Sequence, residues 1–296
     1  MTVASPGAAP LSIRSGPDHP FMVPTSSGVE VNGDLIVRND GDVAMELIKL
    51  RMDILSPSGA LIGRKELNRN GISPSILTVP DRKVDKASSL LIYNPFHSFD
   101  RSLPVARMHY ELTFKAVDGD QQQSASVDVE PIKPPPSNFI LPVKGRYFVS
   151  DGYDFYSHHR RWNFLHPLLT RLGYTGNAGR YAYDFVAVDG AGNRSHGDEA
   201  VNQNWLCFGQ PVRATANGIV VAVHGDAKDD HAYQWGGPNP DPNGVFGNYV
   251  VLRHADGTFS IFGHLMRNSP TVRVGESVKA GQWIARIGAS GDAPFP

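Results

Sequence analysis

Asp184 is the residue whose surroundings most demand a chemical reason. It sits in the run Tyr181-Ala-Tyr-Asp184-Phe-Val-Ala-Val188, an apolar strand pattern in which a carboxylate is costly unless it is paired or binds a metal. An arginine such as Arg180, or backbone amides, would satisfy it as well as a metal would. His158 and His159 stand side by side before Arg160 and Arg161. Imidazoles bind metals and carry protons near neutral pH, but adjacent histidines on an irregular segment are more often solvated than ligating. His264 follows Ile261-Phe262-Gly263 at the end of a strand pattern, where a side chain can project into a groove; a lone histidine there is more often structural. His19, His97 and His109 are isolated and read as surface or strand-filling residues. Cys207 is the only cysteine, which excludes intramolecular disulfides and thiolate metal clusters. Its uniqueness does not make it a nucleophile. Taken singly, these residues allow metal or acid–base chemistry without fixing either.

The elements that must position them read as strands. In 296 residues, 41% are apolar and 19% charged, ordinary globular composition, and 30 glycines with 23 prolines suit short strands joined by tight turns rather than helices. In the first half, Ile48, Leu50, Met52 and Ile54 alternate with Lys49, Arg51 and Asp53, and Met108, Tyr110, Leu112 and Phe114 alternate with His109, Glu111, Thr113 and Lys115. Val117-Asp-Gly-Asp120 is a hairpin turn leading back into Ala125, Val127 and Val129. These period-two segments predict an immunoglobulin-like β-sandwich over residues 1–130, a spacer or docking domain without a chemical constellation. The Pro-rich stretch of residues 131–137, with Pro134-Pro135-Pro136, predicts a stiff linker. Residues 138–296 predict a second, mainly β domain, with strands over 181–188, 218–224, 248–253, 258–262 and 283–287. Residues 157–172 are its main non-strand stretch. Loops at 189–205 and 225–247, the second carrying Tyr233 and Trp235, are long enough to wall a substrate groove.

The ordered series in this second half is specific. Gly209-Gln-Pro211-Val212-Arg-Ala214-Thr-Ala216-Asn-Gly218-Ile-Val220 is followed by Gly247-Asn248-Tyr249-Val250-Val-Leu252 and then Phe262-Gly-His264-Leu265. Val274-Gly275-(x)2-Val278-(x)2-Gly281-Gln282 and Ile287-Gly288-Ala-Ser-Gly291 complete it. Over roughly Asn138 to Pro296 the chain resembles the lysostaphin-type zinc metalloendopeptidases, which cleave peptide bonds of bacterial peptidoglycan. The resemblance implies a lysostaphin-type β-sheet, barrel-sandwich hybrid domain, a Zn2+ cofactor, peptidoglycan peptides as the partner, and an extracytoplasmic location. That family holds zinc with a His, an Asp and the second His of a His-x-His motif. The first His of that motif and a separate His before a leucine flank the water. By this resemblance Asp184 is a metal ligand and His264 a catalytic residue. The usual first ligand falls four residues before the aspartate, where this chain has Arg180. A branch of the family carries His-Arg-Arg upstream instead, which points to His159 as the ligand with His158 as its rival. Zinc with three nitrogen or oxygen ligands keeps one position for water, lowers the pKa of water toward about 7, and needs no protein nucleophile.

No His-x-His occurs in the 296 residues, although the resemblance places one shortly after Gly288-Ala-Ser-Gly291. The expectation is therefore a sequence cut short before that motif, whose 296-residue form is inactive. The alternative is a catalytically dead module that binds cell wall or activates other wall hydrolases, favoured by Arg180. A swinging-arm carrier domain, suggested by Val278 to Gly288, would need an attachment lysine, and the surroundings of Lys279 do not resemble one. The net charge of -1 gives no field for nucleic acid. No apolar run is long enough for a transmembrane segment. Met1–Pro10 has neither a basic n-region nor an apolar h-region and does not read as a signal peptide, which leaves the cytoplasm open as a location.

Overall fold

The computed structural model describes residues 11–235 and 243–296. The signal-peptide reading of Met1–Pro10 and the Gly236–Pro242 part of the second loop lie outside the described residues. The chain is mainly β, with several antiparallel sheets and, among the described residues, one short α-helix, and it divides into two compact units, Met1–Pro134 with Asn163–Leu165 and Pro135–Trp162 with His166–Pro296. Among the described residues no helix is long and apolar enough to cross a membrane.

Among its described residues the first unit has β1 (Leu11–Pro24), β2 (Val29–Asn39), β3 (Met45–Leu55), β4 (Leu61–Leu67), β5 (Lys83–Val84), β6 (Ser88–Ile92), β7 (Ser98–Phe99), β8 (Arg107–Ala116) and β9 (Gln122–Val129). One sheet runs β1-β2-β6 with β7 on β2, the other β4-β3-β8-β9 with β5 on β3. Val31, Leu35, Val37 and Ile92 from the first sheet and Leu47, Leu50, Met52, Met108, Tyr110, Leu112 and Phe114 from the second share one core. On β8 the alternation is as expected, with Met108, Tyr110, Leu112 and Phe114 fully buried. On β3 it is not. Leu47 pairs with Phe114 and Lys49 with Thr113, so Ile48 is the extra residue of a bulge and is only partly buried, while Leu47 takes the inward place. An inserted residue shifts the alternation by one, which strict period-two reading cannot anticipate. Within the Pro-rich stretch, Ile132 still bridges Phe21 and exchanges backbone hydrogen bonds with Pro20 and Met22.

The second unit contains β10 (Tyr147–Asp151), α1 (Pro167–Arg171), β11 (Asp184–Ala187), β12 (Pro211–Arg213), β13 (Gly218–His224), β14 (Asn248–Arg253), β15 (Phe259–Leu265), β16 (Ser277–Val278) and β17 (Trp283–Arg286). The order β15-β14-β13-β16 makes a four-stranded antiparallel sheet; β10–β11 and β12–β17 are two-stranded ribbons. Val212, Val220, Val250, Leu252, Phe262, Leu265, Val278 and Ile284 pack one core, and Val186, Ala187, Trp205 and Cys207 pack a smaller one under β11. The strand expected over Tyr181–Val188 is shorter. Its partner β10 ends at Asp151, opposite Asp184, and the Ala182 N–H is taken by the Gly179 carbonyl in a turn, so Tyr181 to Tyr183 never join the ladder. Trp205, at the end of the first long loop, is buried, with its indole N–H donating to the Glu199 carbonyl at 2.8 Å.

Candidate metal centre and the histidine of β15

Two antiparallel strands bring two carboxylates to one end of a ribbon. A register shift between Val149 and Asp151 sets Asp151 opposite Asp184. The chain leaving Asp151 turns back at once, because the carboxylate accepts from the Gly152 N–H (2.8 Å) and the His158 N–H (3.2 Å). That turn carries His158 and His159 over the same ribbon end, with ring centroids 4.0 Å apart. The Asn177 amide then clamps the backbone from the other side, donating to the carbonyls of His159 (2.7 Å) and Arg160 (3.2 Å). His159 Nε2 lies 3.0 Å from Asp184 Oδ1, and His158 Nδ1 contacts Asp151 Oδ2. One donor atom from each of Asp151, His158, His159 and Asp184 lies within 4.8 Å of all the others. Among the described residues this is the one such group of His, Cys, Asp or Glu.

Burial pushes the His159 imidazole down, but its hydrogen bond to Asp184 and the charges of Asp184 and Asp151 outweigh this and hold it above its usual value. Burial likewise pushes Asp151 up and is overcome by the N–H groups of Gly152 and His158 and by the His158 ring, leaving the carboxyl below its usual range. The His159 side chain is 22% exposed and that of His158 67% exposed, so His159 is the more fixed of the two. Tyr153 packs on Tyr181 (5.9 Å) and Tyr183 (5.4 Å) beside the group. Two imidazoles and two carboxylates are nitrogen and oxygen donors that zinc accepts. The residues present therefore fit the metal implied by the sequence.

His264 is placed differently. It belongs to the end of β15 and is not one of the four residues above. Its backbone has φ +56°, an uncommon conformation for a residue with a Cβ. Its Nδ1 lies 2.9 Å from the Ser290 carbonyl oxygen, which can only accept, so Nδ1 carries the proton and the neutral ring presents a bare Nε2. The Ser290 hydroxyl donates to the Leu265 carbonyl at 2.8 Å and accepts from the Asn248 N–H at 2.8 Å. Asn248 and Ser290 are both fully buried. The histidine thus stands on a rigid polar base.

The structure brings together His159, Asp184 and His158, the rival ligand named from sequence, and adds Asp151. Asp151 escaped the sequence reading. Its only local signal is an Asp-Gly step at the end of an alternating segment, and the register that sets it against Asp184 is a long-range property. Arg180, the sequence alternative for satisfying Asp184, is itself buried.

The family model described as peptidase family M23 matches residues 206–296, a stretch that contains His264 and follows His159 and Asp184. Over 83 residues the chain is 37% identical to a protein named Lipoprotein NlpD from Yersinia enterocolitica, an alignment covering 28% of this chain and 67% of that protein. On this match, carried by its C-terminal segment, the chain belongs to peptidase family M23.

Proposed function

We propose that the second unit belongs to a lysostaphin-type zinc endopeptidase that hydrolyses peptide bonds of bacterial peptidoglycan, with His159 and Asp184 holding the metal and His264 moving the proton. Family M23 is zinc-dependent and acts on peptidoglycan. The observation that carries the reading is the convergence of His159 Nε2 and Asp184 Oδ1 to 3.0 Å across 25 residues of chain. Zinc bound there would supply Lewis acidity toward the scissile carbonyl and an activated water. Asp184, at the start of β11, keeps its carboxylate aimed by the ribbon register, and Asn177 fixes the backbone of His159. His264 keeps Nδ1–H on the Ser290 carbonyl, so its Nε2 accepts a proton and then, as imidazolium, donates one. The loop carrying Tyr233 and Trp235, whose rings meet edge to face at 5.4 Å, supplies a wall for substrate. The first unit serves as a spacer or docking domain.

The test is metal content. Purified protein dialysed against zinc is expected to retain about one ion per chain, and Asp184→Ala or His159→Ala to lose it, read by elemental analysis. Retention of zinc by both variants would remove the proposal. The 296 residues contain no His-x-His, so this polypeptide alone is expected to show little or no release of soluble fragments from peptidoglycan. Arg180, in the position where the family has its first ligand, favours a second reading, a non-catalytic wall-binding module. Absence of zinc in the unmutated protein would support it.

A further inference from the structure

We propose that Asp229 is a positioning residue for His264, acting through the backbone on either side of it. The inference rests on the reading of His264 as the proton-transfer residue and names what holds it. Two segments meet at this histidine. One runs from His264 through Leu265, Met266 and Arg267; the other is the turn Ile287-Gly288-Ala289-Ser290 after β17. They are joined by the Leu265–Ile287 bridge, by Met266 N–H to the Arg286 carbonyl (2.9 Å), by Gly288 N–H to the His264 carbonyl (3.0 Å), and by His264 Nδ1–H to the Ser290 carbonyl (2.9 Å).

Asp229 comes from a third segment, the loop after β13, and its carboxylate spans both. Oδ1 accepts from the Ala289 N–H at 2.7 Å and Oδ2 from the Arg267 N–H at 2.9 Å. One of these amides belongs to the residue just before Ser290, the other to the residue three beyond His264. The loop bearing Asp229 is itself fixed. The Asn248 side chain makes a pair of hydrogen bonds to the Ala227 backbone (2.8 and 2.9 Å), Asn202 donates to the Asp229 carbonyl (2.9 Å), and the Asn268 N–H donates to Gly225 (2.7 Å). A rigid carboxylate therefore fixes the spacing between the strand that carries the imidazole and the carbonyl that sets its tautomer. Only a group with two acceptor oxygens serves both amides. Asparagine, of the same shape, offers one acceptor and turns an N–H toward a backbone N–H. Once that brace is cut, the Ser290 carbonyl is no longer held on His264 Nδ1.

The test uses nitrogen-15 NMR of the histidine rings at alkaline pH, where imidazoles are neutral. His264 of the unmutated protein is expected to show one pyrrole-type Nδ1 and one pyridine-type Nε2. In Asp229→Asn the two signals are expected to move toward each other as the tautomers mix. Asp226→Asn, on the same loop but solvent-facing and paired with His224, leaves them in place. A folded Asp229→Asn protein with unchanged His264 signals overturns the inference. Should the variant not fold, hydrogen exchange in the unmutated protein decides: Ala289 and Arg267 amides exchanging at unprotected rates overturn it, and slow exchange of both supports it. None of these readouts depends on hydrolysis or on bound metal, so zinc lost from neither His159→Ala nor Asp184→Ala would remove the catalytic reading and leave the positioning of His264 by Asp229 to be decided by the ring signals alone.

Discussion

His264 combines a left-handed backbone with a side chain whose tautomer is fixed by a carbonyl. Such strain persists only where surrounding structure imposes it, and it gathers at functional sites. Gly288 is part of that imposition. Its own backbone does not require glycine; the space does, because a Cβ there would fall within contact distance of the Met266 backbone and of Asp229 Oδ1. Gly288→Ala is therefore expected to cost at least the roughly 1–3 kcal/mol typical of overpacking, read as a lower urea midpoint. Cys207 marks the contrast with a working residue. It is fully buried with its thiol donating to the Pro296 carbonyl, and burial pushes its pKa up. It is expected to resist thiol reagents in the native protein and to react only after unfolding, as a buried thiol without a nearby base does. At this scale the sequence carried much of the candidate site. Asp184 stood out because a carboxylate in an apolar run needs a partner, and His159 stands 3.0 Å from it. Asp151 could not be singled out, since an Asp-Gly step on the surface looks the same with or without a carboxylate opposite.

Strands and their registers decide what those residues meet. The β3 bulge makes a testable difference between pattern and structure. Strict alternation would bury Ile48 with Leu50, whereas the bulge buries Leu47 and Leu50 and leaves Ile48 at the rim. Leu47→Ala and Leu50→Ala are each expected to destabilise the first unit by about 2–5 kcal/mol, the range for truncating a buried aliphatic side chain. Ile48→Ala should cost clearly less than either, by chemical denaturation. Equal losses at 47 and 48 would mean that the bulge is not there. The same reasoning explains which strands were legible. β13 and β14 begin and end where their sequence patterns do, because glycine turns and β-branched runs define both ends locally. β11 does not, because its start is set by where β10 stops. Tyr181 to Tyr183 look like strand and are held in a turn, and no local signal distinguishes the two.

At the level of the whole molecule, each unit has its own apolar core, and no core cluster found among the described residues draws on both. The His/Asp group that could hold a metal lies wholly in the second unit, between Asp151 and Asp184. Cooperative unfolding follows cores, and a chain with two separate ones departs from two-state behaviour. Heating in the presence of zinc is then expected to give two transitions that respond to different changes. Leu112→Ala, deep in the first core, should lower one transition by an amount matching about 2–5 kcal/mol and leave zinc retention as it was. Removing zinc with a chelator, or introducing Asp184→Ala, should lower only the other, because a ligand stabilises the unit that binds it and by mass action nothing else. Calorimetry of the four samples side by side checks this. A single transition that shifts for both Leu112→Ala and chelation would show that the two cores unfold as one, and that residues 1–134 contribute to the stability of the metal group as more than a spacer.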